Sequence, residues 1–199
     1  VAYAFPAVQL NNSYAVILNG CNTSHFYPTE RLFNPARPKI VTHHWSDNWM
    51  KGFDIYTKID EYLQENDRFD FTYVGRYFQG YSPKKTSIIS PLYGHDLGSE
   101  LRNHDIYVTA SRWEPCGMHH IEGASCGLPV LYHVDGGGIN ETCANHGYQF
   151  RSFAEFLKYL DLVTSKLGDL KNKINYEQLS SKTCSDNYYK EIVRMFSEK

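Results

Sequence analysis

Residues Glu114–Val130 read EPCGMHHIEGASCGLPV, with the carboxylates Glu114 and Glu122 separated by seven residues. A proline follows the first acid, and Gly123, Ala124, Ser125 and Gly127 crowd the region after the second. Upstream, DIYVTAS (105–111) is a short apolar run of the buried-strand type; downstream, PVLYHV (129–134) is another. Between them the stretch Gly117–Cys126 is expected to be a helix, giving a strand–loop–helix–strand unit. The first N–H groups of such a helix lack intrahelical acceptors and, with the helix dipole, suit an anion such as phosphate. Taken alone, either glutamate reads as a solvated surface acid. The small residues beside Glu122 imply a tightly packed helix instead, so that Glu122 points toward hydroxyls bound next to the phosphate.

The same alternation extends outward. AVIL (15–18) is expected to be a strand ended by Asn19–Gly20, and PKIVTHHW (38–45) a second. Lys51 to Asn66 has Ile55, Ile59 and Leu63 at i, i+4 and i+8, the spacing of one helix face. FDFTYVG (69–75) and TSIIS (86–90) are strand-like, and His95–Asn103 is a short helix. DGGGINET (135–142) is a turn entering a helix. Phe153–Leu160 and Tyr189–Phe196 carry apolar stripes expected to be core, whereas Leu167–Asn175 is polar and gives no clear pattern. Strands alternating with helices predict an α/β fold: a doubly wound, Rossmann-like, mostly parallel sheet with helices on both faces. Ligands then bind at the carboxyl ends of the strands, in the loops after Trp45, Gly75, Ser90, Ser111 and Val134.

Composition narrows the class. The chain has 199 residues, a formal net charge of −2 and no basic block, which argues against nucleic acid as partner. No run approaches the ~20 apolar residues of a membrane span. The five cysteines form no C-x-x-C pair, which points to reduced thiols and a cytoplasmic setting. The pairs His43–His44 and His119–His120 have no companion at metal-ligand spacing, so no metal is expected.

Four collinear segments resemble family-four retaining glycosyltransferases of the GT-B fold, over roughly Ala15 to Phe150. VILNGCNTSHFYP (16–28) resembles the opening of their C-terminal domain, and KGFDIY (51–56) the Lys-Gly helix start. SRWEPCGMHHIEGASCGLPV (111–130) carries the E-x7-E motif, and DGGGINE (135–141) resembles the glycine loop. The resemblance implies one half of a GT-B architecture that binds a nucleoside-diphosphate sugar and keeps the anomeric configuration on transfer. It makes Glu114 and Lys51 catalytic, with Glu114 on the donor sugar and Lys51 on phosphate charge. Glu122 would hold the ribose, backbone N–H groups at Gly117, Met118 and His119 the diphosphate, and Cys116 a loop position often aromatic in the family. Ser90 and Leu92 would border the base, and Gly137 and Gly138 the sugar. No cofactor is implied.

In one respect the chain departs from that pattern: Ser46 stands where the family has an arginine five residues before the lysine. His43 or His44, Arg76 and Arg112 are the candidates to take its place. The expected organisation is a lead-in or linker (1–14), the nucleotide-sugar domain (15–183) and a helix (184–199) crossing back to an acceptor-binding N-terminal domain or partner chain. Membrane-surface association would lie in that other half. The alternatives are a donor-binding module inactive alone or a related sugar-nucleotide epimerase. A dinucleotide-dependent dehydrogenase fits poorly because no G-x-G-x-x-G follows the first strand.

Overall fold

The structure, a computed structural model, describes residues 15–197, so the expected lead-in of residues 1–14 lies outside the described residues. Its centre is a six-stranded sheet: β1 (Lys39–His44), β2 (Asp70–Gly75), β3 (Ser87–Ile89), β4 (Ile106–Thr109), β5 (Val130–His133) and β6 (Gly147–Phe150). The spatial order is β3-β2-β1-β4-β5-β6 and every pairing is parallel. The order reverses between β1 and β4, which makes the crevice at their carboxyl ends the place for a ligand.

Seven helices surround the sheet: α1 (Phe53–Glu65), α2 (Gly94–Leu101), α3 (His119–Ser125), α4 (Ile139–Cys143), α5 (Phe153–Ser165), α6 (Leu167–Lys171) and α7 (Ser181–Ser197). Alternation along each strand divides the core. Ile40, Phe71, Tyr73, Ile106, Val108, Leu131 and Phe150 face α1, α5 and α6. Val41, Val74, Tyr107, Val130 and Tyr132 face α2, α3 and α4. Both faces are covered, so β1, β4 and β5 are buried almost throughout, as parallel sheets require. Phe53, Tyr56, Tyr73, Tyr107, Phe150 and Phe156 are fully buried, and such rings dominate the apolar area removed from water.

Three expectations differ from the structure, and one strand had no expectation. AVIL is not a strand: Val16 is half exposed, and the chain bridges only at Cys21, to Ser180. A four-residue apolar run does not by itself supply a neighbouring strand, and none of the six described strands pairs with it. The acidic-motif helix begins at His119 rather than Gly117, because Met118 occupies the N-cap. β6 gave no strand signal; Gly147 and Tyr148 and Gln149 are too polar and too few, and pairing with β5 selects them. Finally, the Tyr189–Phe196 stripe is not core. No residue of α7 is buried, and Tyr189 is 69 % exposed. Amphipathic periodicity reports a face able to pack, not what packs on it.

Candidate functional site

A cavity of about 480 Å³ opens at the carboxyl ends of β1, β2 and β4, at the topological switch point. The loop after β4 builds one wall. Arg112 donates its backbone N–H to the Met50 carbonyl (2.9 Å), and Trp113 donates to Asp135 (2.7 Å). Trp113 adopts φ 53°, a left-handed conformation unusual for a bulky residue, and turns the chain so that Glu114 faces inward. The Glu114 carbonyl accepts from Gly138 N–H at 3.0 Å, tying the acidic loop to the glycine loop. Arg112 grips Asp54 of α1 with two hydrogen bonds, of 3.0 and 2.6 Å, and anchors the loop from below.

Lys51 comes from the opposite wall. It ends a single 3-10 turn (Trp49–Lys51) whose N-cap Asn48 accepts from Met50 N–H. Gly52 then adopts φ 98° to start α1, and a Cβ there would lie 2.2 Å from Ala110 Cβ. This junction aims the lysine across the cavity, where Nζ forms an ion pair with Glu114 Oε2. Glu122 lies one turn into α3, and its Oε2 meets His43 Nε2 at 2.8 Å. The other nitrogen of His43 contacts Tyr107 Oη at 3.1 Å. Tyr107 therefore links the packed sheet to the ring that orients Glu122.

Three histidines beside the cavity, His44, His119 and His120, are held neutral. His44 titrates far below its usual range because it is buried and faces Lys51 and His43. Burial and the neighbouring His44, His120 and His43 do the same to His119, while burial pushes His120 down to about 3. The His44 and His119 rings stand 4.8 Å apart, and His119 Nε2 meets Thr109 Oγ1 at 3.0 Å. Among the described residues lining the cavity, Lys51 is the one lysine or arginine. No group of three His, Cys, Asp or Glu able to hold a metal occurs among the described residues.

The structure gathers most of the sequence-predicted site. Glu114, Lys51, Glu122, Cys116, Gly117, Met118, His119 and Leu92 all line the cavity. Gly117 lies in the loop rather than the helix, and its missing Cβ leaves room for the Glu114 side chain, which would otherwise lie at 2.5 Å. Three predicted residues are not on the wall. Ser90 is exposed at the edge, with Pro91 lining the cavity in its place. Gly137 and Gly138 stand behind Glu114, and Gly137 forms an isolated bridge with it; they support the acid rather than border the main cavity. Ser46 lines the wall, but its hydroxyl accepts from Asn48 N–H at 3.2 Å as part of the turn.

Sequence reasoning missed the mouth. Trp45 and Tyr93 pack edge to face at 4.8 Å, both half exposed, with the Arg76 guanidinium 4.1 Å above the indole. Nothing local in the sequence joins residues 45 and 93; only the adjacency of β1 and α2 across the crevice does.

Residues 79–165 match the family described as "Glycosyl transferases group 1". No curated protein sequence matches significantly. Sucrose-phosphate synthase from Thermosynechococcus elongatus superposes with a TM-score of 0.74 at 14% identity, covering 100% of this chain and 56% of that one. Anabaena HepE, solved in complex with UDP-glucose, gives 0.70 at 17% identity, covering 93% and 57%. The C-terminal domain of the group 1 glycosyl transferase LpcC from Francisella tularensis gives 0.60 at 19% identity, covering 85% and 98%. The chain thus spans little more than half the length of the first and second of these and nearly all of the third. It has the fold of the C-terminal domain of GT-B glycosyltransferases and carries, over residues 79–165, the sequence signature of glycosyl transferases group 1.

Proposed function

We propose that this chain is the donor-binding part of a retaining glycosyltransferase acting on a nucleoside-diphosphate sugar. The observation that carries the reading is the convergence in one cavity of Glu122, the Lys51–Glu114 pair and the start of α3. The α3 N–H groups and Lys51 are suited to the diphosphate, where they would stabilise the negative charge that develops as it departs. Glu122, already oriented by His43, is suited to accept from a ribose diol. Glu114 is suited to a hydroxyl of the donor sugar, released to it as Lys51 turns toward phosphate. UDP-glucose bound to HepE supports a donor of this chemical class.

Neither carboxylate of the cavity is free to act as a nucleophile in a double displacement: Glu114 is tied to Lys51 and Glu122 to His43. We therefore favour substitution on one face of the sugar, with the leaving diphosphate itself assisting the incoming hydroxyl. The acceptor, on this reading, is held by a second domain or a partner chain. The five free thiols fit a cytoplasmic setting.

Calorimetric titration with UDP, GDP and ADP and their glucose conjugates tests the reading. Glu122→Ala and Lys51→Ala are each expected to weaken diphosphate binding by about 10- to 100-fold, the loss of one or two charge-assisted hydrogen bonds. Affinity equal to wild type in both variants removes the donor-site assignment.

A further inference from the structure

Neither His43 nor Tyr107 belongs to the four segments that resemble the family, yet both stand behind the acidic wall of the cavity. Val41 of β1 pairs with Tyr107 of β4, and alternation puts His43 on the same face of the sheet as Val41, one step nearer the carboxyl edge. Across that face lies α3, whose Gly123 packs on the Tyr107 ring and whose Glu122 meets His43.

The protons of this chain of contacts can be placed. An ionised carboxylate only accepts, so the proton of the 2.8 Å contact with Glu122 Oε2 belongs to His43 Nε2. On the other side of the ring, Nδ1 faces the Tyr107 hydroxyl at 3.1 Å, and burial holds that phenol far above its usual range, so it keeps its proton. The phenolic oxygen accepts the His43 backbone N–H at 3.2 Å. Its own proton goes to Nδ1, the nearer of two acceptors; the His43 carbonyl lies at 3.3 Å. The ring is therefore pinned at both nitrogens, in the tautomer that donates from Nε2. With both nitrogens engaged inside the protein, His43 does not take the place of the absent arginine on phosphate.

Its effect falls on Glu122 instead. The Glu122 side chain is 20 % exposed and belongs to a residue lining the cavity. Its Oε1 has no hydrogen-bond partner among the described residues, and it is not one of the unpartnered atoms sealed from solvent, so it is the carboxylate oxygen open to a ligand. The terminal torsion of a glutamate is ordinarily broad, and the tether at Oε2 fixes it. An acceptor fixed before binding loses little side-chain freedom on meeting a hydroxyl, and is left unpaired by an analogue that lacks one.

Resting on the donor-site reading above, we propose that His43 is the positioning residue that makes this site select ribose over deoxyribose. Pinned by the Tyr107 hydroxyl, its Nε2–H holds Glu122 Oε2 so that Oε1 takes a ribose hydroxyl.

UDP and ADP, their 2′-deoxy and 3′-deoxy analogues and inorganic pyrophosphate are titrated into the 199-residue chain and into His43→Phe, His43→Gln and Tyr107→Phe. The wild type is expected to bind the ribose form about tenfold or more tighter than at least one deoxy analogue, the size of one hydrogen bond to a charged acceptor. In His43→Phe that ratio falls to about threefold or less. In His43→Gln, whose amide nitrogen overlies Nε2 and donates in its place, most of the ratio returns; in Tyr107→Phe it falls between the wild type and His43→Phe. Pyrophosphate carries no ribose, so its affinity in each variant registers general damage to the site, which the ratio cancels. A ratio unchanged in His43→Phe, or lost equally in His43→Gln, overturns the proposal, and a Tyr107→Phe ratio equal to wild type overturns the pinning by the hydroxyl. A wild type that binds UDP or ADP without preferring it to either deoxy analogue also overturns the proposal, whereas one that binds no diphosphate overturns the donor-site reading itself. Nitrogen NMR of the wild-type imidazoles needs no variant: His43 is expected to carry its proton on Nε2, and a proton on Nδ1 alone refutes the placement.

Discussion

Adding one methyl group at Gly123 tests how the packing of α3 controls the site. A Cβ built there lies 2.5 Å from Tyr107 Cδ2 and 2.6 Å from Cγ, about 1 Å closer than an ordinary contact. The Tyr107 ring is fully buried, and its hydroxyl meets the His43 backbone N–H at 3.2 Å and Nδ1 at 3.1 Å. The ring cannot yield without disturbing His43, nor α3 without moving Glu122. Overpacking of this kind costs about 1–3 kcal/mol, offset by about 0.5–1 kcal/mol from replacing glycine by alanine in a helix. The net expectation for Gly123→Ala is a loss of about 1–2 kcal/mol, or a Tm lowered by about 2–8 °C for a domain of this size. Because Glu122 and His43 move apart, diphosphate affinity should fall several-fold as well. Thermal melts and calorimetry measure both effects. In a double-mutant cycle with Tyr107→Leu, which removes the ring, most of the cost of the methyl should disappear, giving a coupling of about 1–2 kcal/mol. A Gly123→Ala protein as stable and as tight-binding as wild type, or one additive with Tyr107→Leu, refutes the linkage.

Two further outcomes follow from buried charge. Burial pushes His104 and His146 down to about 4 and His120 to about 3, whereas the unfolded chain protonates histidine near 6.5. Stability contributed by their neutral state is complete above 6.5 and is lost as pH falls from 6.5 toward 4, by about 2 kcal/mol per group at pH 5; urea unfolding at pH 7, 6 and 5 should show this slope, and a flat profile contradicts it. Asp60 gathers the N–H groups of Lys84 (2.8 Å), Lys85 (2.8 Å) and Thr86 (2.7 Å) and the Thr86 hydroxyl (2.7 Å), fixing the β2–β3 loop on α1. Asp60→Asn should cost about 2–3 kcal/mol in denaturant midpoint analysis while leaving diphosphate affinity near wild type, since no Asp60 atom reaches the cavity.

Much of the architecture was legible because parallel strands buried on both faces must be short continuous apolar runs. IYVT and VLYH read that way, KIVTHH and DFTYVG carry a shorter apolar core at Ile40–Val41 and Phe71–Val74, and all four are strands. Where that signal weakens, reading failed in both directions: AVIL is apolar but unpaired, and Gly147–Phe150 is paired but only its last residue is fully buried. Of the candidate residues, Glu114 and Glu122 were legible through their spacing around a helix start, and Lys51 through the resemblance of KGFDIY to the family's Lys-Gly helix start. His43, His44, Trp45 and Tyr93 were harder, since their meaning lies in partners 50 to 80 residues away.

By itself, the sequence determined the βα alternation and the presence of two acids around a helix start, since these depend on local periodicity and spacing. The tertiary structure decided how the charges are shared out. Only folding brings β1 beside β4 and sets His43 against Glu122, Lys51 against Glu114 and Arg112 against Asp54. It also buries His44 with one nitrogen occupied by Tyr56 and the other unpartnered. Partner choice among charged groups is a matter of distance and desolvation, and neither exists until the chain has packed.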